Sequence, residues 1–184
     1  MSKKTKKGPK KKQSKTFQIT GIVLIVGLFL YLAFANLFNQ NKNEKTTVKS
    51  YTTIDFVKNG ELTFLTSDDK YISKIDIEIA EDDNARTQGL MYREKMKQNR
   101  GMLFIFPYES MQSFWMKNTI IPLDIIFVDS NNKIVTIRKN AVPFDTGTGH
   151  YTSTKPAQFV IEVNAGYTDS LGIKVGDKIV WRRN

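Results

Sequence analysis

Residues 71–80 read Tyr-Ile-Ser-Lys-Ile-Asp-Ile-Glu-Ile-Ala. Ile75, Ile77 and Ile79 alternate with Asp76 and Glu78, the period of two that a strand buried on one face requires. Working outward, further β-rich runs occupy 61–66, 102–106, 113–117, 123–129, 133–139, 158–163 and 178–182. Asn131-Asn132 separates two of them and reads as a hairpin turn. Helical signals are few. Asp82 and Asp83 are capping residues for a short helix running to about Arg93, and a second helix starts near Gly166 and ends by Gly172. Many short strands with few helices predict a mainly β domain, a compact barrel-like antiparallel or mixed sheet with one or two short helices. A parallel α/β sheet is disfavoured. No internal repeat is present.

Upstream of this domain, residues 17–38 read FQITGIVLIVGLFLYLAFANLF, 22 residues without a charge. As a helix they would extend about 33 Å, close to the ~30 Å hydrocarbon core of a bilayer. Residues 1–16 hold eight lysines and no acid. This flank orients such a span with its N-terminus in the cytoplasm and translocates the rest. Ala33-Phe34-Ala35 has the small-x-small form of a signal-peptide cleavage site, which leaves cleavage after Ala35 open. The apolar run is long for a signal peptide and continues through Leu37 and Phe38, which favours an uncleaved anchor. Residues 39–50 (NQNKNEKTTVKS) read as a polar linker, and the domain begins near Tyr51. The expected organisation is a basic cytoplasmic tail (1–16), a single-pass signal-anchor (17–38), a linker (39–50) and an extracytoplasmic β-rich domain (51–184). The location is the cytoplasmic membrane.

The formal charge of +10 is misleading until it is located. Beyond residue 38 the chain carries 20 basic and 18 acidic residues. The basicity belongs to the tail, so no basic face remains on the domain and nucleic acid is not an expected partner. With no cysteine, disulfides, thiolate metal sites and a cysteine nucleophile are excluded. A single histidine, His150, rules out a His-rich metal site, and no metal or other cofactor is expected.

Three clusters carry charges in unusual places. In the first, Arg86, Gly89, Leu90, Met91 and Arg93, a helix would put residues 86, 90 and 93 on one face. The glycine implies close approach of another backbone or a ligand, since it costs about 1 kcal/mol in a helix. Two arginines there suit an anion clamp or, more simply, pairs with buried acids. The second cluster, residues 114–127, reads FWMKNTIIPLDIIF and is apolar on both faces, as in a strand buried on both sides. Asp124 interrupts it. A carboxylate there needs partners, with Arg86, Arg93 and Lys117 as candidates. In the third, Val160-Ile161-Glu162-Val163-Asn164, Glu162 repeats the problem.

Asp124 and Glu162 are thus the candidate catalytic acids, a possible acid/base pair of the glycosidase kind. Arg86, Arg93, Lys117, Asn118 and Asn164 are the candidate ligand-binding residues. Matching one acid to each arginine explains the same residues structurally and with fewer assumptions. His150, Ser153 and Thr154 lie in a turn-rich stretch without a G-x-S-x-G elbow, so they read as surface loop. Residues 106–111 (FPYESM) read as an exposed turn.

Taken together these clusters resemble the domain of unknown function 192 family, also called uncharacterised protein family 0127. The residues that carry the resemblance include Arg86, Gly89, Leu90, Met91 and Arg93, then Gly101-Met102-Leu103-Phe104. They continue through Phe114-Trp115-Met116-Lys117-Asn118-Thr119, Pro122-Leu123-Asp124, Pro156-Ala157, Glu162-Val163-Asn164-Ala165-Gly166 and Gly172-Ile173-x-x-Gly176-Asp177. They span about residues 72–182. The resemblance implies a compact β-barrel-like domain, often exported or membrane-anchored in bacteria and archaea. It implies neither a reaction nor catalytic residues. Three functions remain in view. The first is a non-enzymatic binding or accessory module of the cell envelope. The second is an envelope enzyme acting on a glycan or small anionic metabolite, with Asp124 and Glu162 as acid and base. The third is a protein-interaction or chaperone module presenting an apolar patch at 106–111 to an envelope protein.

Overall fold

The computed structural model describes residues 27, 28, 30–35, 54–146 and 151–184. The chain falls into two units, residues 1–50 and 51–184. In the first, residues 27, 28 and 30–35 are helical. The tail 1–16, the rest of the expected span over 17–38 and the linker 39–50 lie outside the described residues. Among the described residues no helix is long and apolar enough to cross a membrane.

The second unit is mainly β. Its elements are β1 (Gly60–Leu65), β2 (Tyr71–Ala80), α1 (Asp83–Gln88), β3 (Arg100–Ser110), β4 (Ser113–Phe114), β5 (Leu123–Val128), β6 (Ile134–Ala141), β7 (Tyr151–Thr152), β8 (Ala157–Asn164), α2 (Tyr167–Leu171) and β9 (Lys178–Arg183). Seven strands form one mixed sheet in the order β6-β5-β8-β3-β2-β1-β9, and β4 pairs with β7 in a separate two-stranded ribbon. β2 and β3 run parallel, joined by the crossover that contains α1. The sheet curls but does not close into a barrel. Among the described residues its edge strands β6 and β9 share no ladder and approach at an isolated bridge between Lys133 and Lys178. Backbone hydrogen bonds surround that bridge, such as the Ile134 N–H on the Asp177 carbonyl at 2.8 Å.

Both faces of the sheet are covered, so β5 is buried at all six positions. Leu62, Phe64, Ile75, Ile77, Ile126 and Ile161 belong to one core, closed by Tyr167 of α2. Met102, Phe104, Leu123, Ile125, Phe127 and Val160 belong to the other, under α1 and the β4–β7 ribbon. Strand alternation assigns the residues between them: Asp124 shares the face of Ile126, and Glu162 the face of Val160. On the surface, Glu61 of β1 pairs with Lys58 at 2.9 Å, Lys74 at 2.6 Å and Arg182 at 2.7 Å. Lys74, then Arg182 and Lys58, hold its carboxyl well below the usual carboxylate range.

The first helix is shorter than its sequence suggested. Asp82 caps it, its side chain accepting the Ala85 N–H at 2.9 Å. It ends at Gln88, because Gly89 takes φ +45° and ψ −133°, a conformation suited to glycine. Arg93 therefore lies beyond the helix, and the expected shared face of residues 86, 90 and 93 does not exist. A Cβ on Gly89 would also meet the Phe104 ring at 3.2 and 3.3 Å. Strain and crowding together should make Gly89→Ala destabilising by about 2–4 kcal/mol. Chemical denaturation measures this directly, and a variant as stable as wild type would show that neither effect operates. Two other readings need correction. β4 spans two residues instead of five, because the chain turns at residues 116–119, with the Thr119 N–H on the Met116 carbonyl at 3.1 Å. Residues 106–110 form the outer half of β3 instead of a turn, although Tyr108 and Met111 are exposed as expected.

Candidate functional site

Glu162 projects from β8 between Met102 of β3 and Ile125 of β5, its cross-strand neighbours. The row continues from Met102 to Glu78 of β2. Two glutamates thus occupy one row with a methionine between them, roughly 10 Å apart at the strand spacing. Their fates differ. Glu78 has Arg93 at 2.7 Å and accepts the Val57 N–H at 2.9 Å. Glu162 is 5 % exposed, and among the described residues no hydrogen bond or ion pair engages its carboxyl. Burial alone pushes that carboxyl up to about 8 from an ordinary 4.5. At neutral pH it is an uncharged acid able both to donate and to accept.

A way in exists. Glu162 lines an inner pocket of about 30 Å³ together with Gly89, Leu90, Phe104, Phe114 and Thr119. This holds a water-sized group. Arg86, Thr87, Phe114 and Trp115 also line an outer groove of about 320 Å³, walled further by Phe106. Phe114 organises these walls, meeting Phe104, Phe106 and Phe127 edge-on at centroid distances of 5.0, 6.3 and 5.9 Å. Trp115 is 43 % exposed at the rim, with the Lys117 ammonium 5.1 Å from its ring centroid. The result is an aromatic cleft with one neutral carboxyl at its floor, the combination expected of a small-molecule site.

Asp124 is placed differently. Its register partner is Val163, whereas that of Glu162 is Ile125, so the two acids leave the sheet on opposite faces. They cannot act as a pair on one substrate. Asp124 also meets none of the expected cations. Its Oδ1 accepts the N–H groups of Asn140 at 3.0 Å and Gly166 at 3.2 Å. Its Oδ2 accepts the Thr168 N–H at 3.0 Å and the Thr168 hydroxyl at 2.7 Å. It is wholly buried and ties the end of β6 to the turn between β8 and α2.

The remaining candidates disperse. Arg86 pairs with Asp83 at 2.6 Å, donates to the carbonyls of Glu81 and Ile105, and lies 5.4 Å from the Phe106 centroid. Its guanidinium is committed to shaping the lip of the cleft. The expected match of Asp124 and Glu162 to these arginines is replaced by Arg86–Asp83 and Arg93–Glu78 pairs. Asn118, at φ +56°, donates to the Tyr92 hydroxyl at 2.7 Å. Asn164 donates to the Met96 carbonyl at 3.0 Å, so both asparagines brace the 90–96 segment. The Ser153 hydroxyl accepts the Gln112 N–H at 3.0 Å in a buried site, and the Thr154 hydroxyl shares a hydrogen bond with Thr136 at 2.7 Å. His150 lies outside the described residues. Among the described residues no group of His, Asp and Glu side chains is placed to hold a metal ion.

Sequence reasoning passed over Trp115, Thr87 and Thr119 as site residues. Trp115 was absorbed into an apolar run that reads as core, and only the two-residue length of β4 turns it outward.

The DUF192 family profile, described as "Uncharacterized ACR", matches residues 63–181. Among curated proteins, a UPF0127 protein of Pyrococcus furiosus is 29% identical over 117 residues, covering 60% of this chain and 90% of its own. One from Pyrococcus abyssi is 31% identical over 113 residues, covering 57% and 85%. Among solved structures, a Sinorhizobium meliloti protein proposed as a transcription regulator has a TM-score of 0.63 at 36% identity, over 69% of this chain and 98% of that one. A protein of unknown function from Novosphingobium aromaticivorans has a TM-score of 0.61 at 37% identity, over 66% and 84%. With the family pattern running through nearly all of the β domain, this chain belongs to the DUF192 (UPF0127) family.

Proposed function

We propose that this chain is a membrane-tethered binding module of the cell envelope, and that its β domain takes a small uncharged ligand, such as a sugar unit of an envelope glycan, in the cleft above Glu162. The observation that carries the reading is a neutral, unpartnered carboxyl at the floor of an aromatic-walled groove. Such a group hydrogen-bonds hydroxyls without the desolvation cost of a carboxylate, while Trp115 and Phe106 offer apolar faces. The tether rests on the uncharged run 17–38 and its lysine-rich flank, and the nearly balanced charge of the domain speaks against nucleic acid as the partner. A reduced enzyme reading has one observation in its favour: a carboxyl raised to about 8 suits a lone general acid.

The test is thermal unfolding of the full-length chain in neutral detergent against envelope glycan fragments. A ligand present at 100 times its dissociation constant should add about 2.7 kcal/mol and raise the midpoint by several degrees. Trp115→Ala, at an exposed position, should unfold as wild type does and lose the shift. If no fragment moves the midpoint, the cleft is not a glycan site. Conversion of a fragment that stops in Glu162→Gln would favour the enzyme. Recovery of the intact chain from washed membranes tests the tether, and a wholly soluble chain would end that part of the proposal.

A further inference from the structure

A second pocket, of about 330 Å³, opens between the segment at Phe56 and residues 93–100. Its walls include Phe56 and Met96, and four cationic side chains line it: Arg93, Lys95, Lys97 and Arg100. Two carboxylates are close to these cations, that of Asp55 on the pocket wall and that of Glu78 against Arg93. The lining side chains together with Glu78 therefore carry an excess of two positive charges.

The two arginines are incompletely satisfied. Arg93 is 8 % exposed and ion-paired with Glu78 at 2.7 Å without hydrogen-bond alignment, so its buried Nε–H and the buried Glu78 Oε2 both lack a hydrogen-bond partner, side by side. Arg100 stacks over Phe56, 4.2 Å from the ring centroid. Its Nε–H is also buried without an acceptor. Among the described residues its guanidinium meets no carbonyl or carboxylate. Buried guanidinium donors normally find oxygen partners, so Arg100, which unlike Arg93 has no carboxylate beside it, points to an acceptor that comes from outside the chain. The backbone is arranged to hold this geometry. Glu78 takes the Val57 N–H and so holds the backbone next to Phe56, and the Arg100 N–H on the Lys97 carbonyl at 3.0 Å closes the turn that carries Lys97 and Arg100.

We propose that this pocket binds a phosphate monoester attached to an apolar group, the dianion answering the excess charge and the apolar arm lying along Phe56 and Met96. Such a group is carried both by soluble phosphate esters and by phosphatidate headgroups. The experiment is calorimetric titration of the full-length chain in neutral detergent, at constant ionic strength, with inorganic phosphate, hexyl phosphate and dioctanoyl phosphatidate. Saturable binding of an ester that inorganic phosphate competes away supports the site. Preference for hexyl phosphate assigns a soluble source, and preference for phosphatidate a lipid one. Arg100→Met should weaken binding at least tenfold with an unchanged melting midpoint. Because Arg100 is half-buried, Lys95→Met/Lys97→Met at exposed positions serves as the second variant, with the same expected loss. Absence of saturable binding by any of the three probes overturns the proposal, as does binding that both variants retain.

Discussion

Asp124→Asn is expected to cost the β domain about 3–5 kcal/mol, lowering its melting midpoint by more than ten degrees. The four donors that converge on the carboxylate come from Asn140 at the end of β6 and from Gly166 and Thr168 at the β8–α2 turn, two pieces of chain far apart in sequence. An asparagine keeps one acceptor oxygen and turns the other end into a donor that faces donors. Two bonds of about 1.5–3 kcal/mol each are lost, and the donors left behind are part-buried at Asn140 and Gly166 or fully buried at Thr168. Differential scanning calorimetry reads the effect directly. A variant that unfolds with wild type would mean that the carboxylate does not anchor the β8–α2 turn. It would also reopen a reactive role for Asp124.

Glu162→Gln should behave in the opposite way, and its effect should depend on pH. The folded-state carboxyl titrates near 8 against an ordinary 4.5. Below about 4.5 it is protonated whether the chain is folded or not, and it makes no difference to stability. Between 4.5 and 8 the unfolded chain releases a proton that the folded chain retains. Folding therefore weakens by about 1.4 kcal/mol per pH unit, on the order of 4–5 kcal/mol across the window. Above 8 this loss is complete. Glutamine is neutral at every pH and nearly isosteric. The variant should match wild type at pH 4.5 and exceed it increasingly up to pH 8. Parallel pH profiles for the two proteins would be incompatible with a protonated Glu162.

Local signals in the chain were readable. The isoleucine alternation delimits β2 at its observed ends, Asn131-Asn132 makes the β5–β6 hairpin with Asn132 at φ +62°, and Gly172 ends α2 at φ +69°. What could not be read depends on distant pairing or on a single dihedral angle. Gly89 passes for a glycine within a helix until its φ and ψ are known. Asp124 and Glu162 stand out as acids in apolar strands, yet whether they meet depends on the register between β5 and β8, strands separated by the hairpin and the ribbon. Shifting that register by one residue would have put them on the same side. The cationic pocket was equally invisible, because Phe56 and Arg100 are brought together by β1, β2 and β3 and by no motif of their own.

The position of β9 dictates the order in which the domain can be finished. The last strand pairs with the first, Gly60 opposite Arg183, and the Asn184 N–H reaches the Asn59 carbonyl at 3.0 Å. Arg182 and Glu61, 121 positions apart, form one of the ion pairs of that ladder. A chain emerging N-terminus first exposes β1 early but cannot flank it on its second side until β2 to β8 have appeared. Pairings of such long separation make folding slow, in the range of milliseconds to seconds. Until β9 arrives, one edge of β1 is an open strand that a neighbouring nascent chain can occupy.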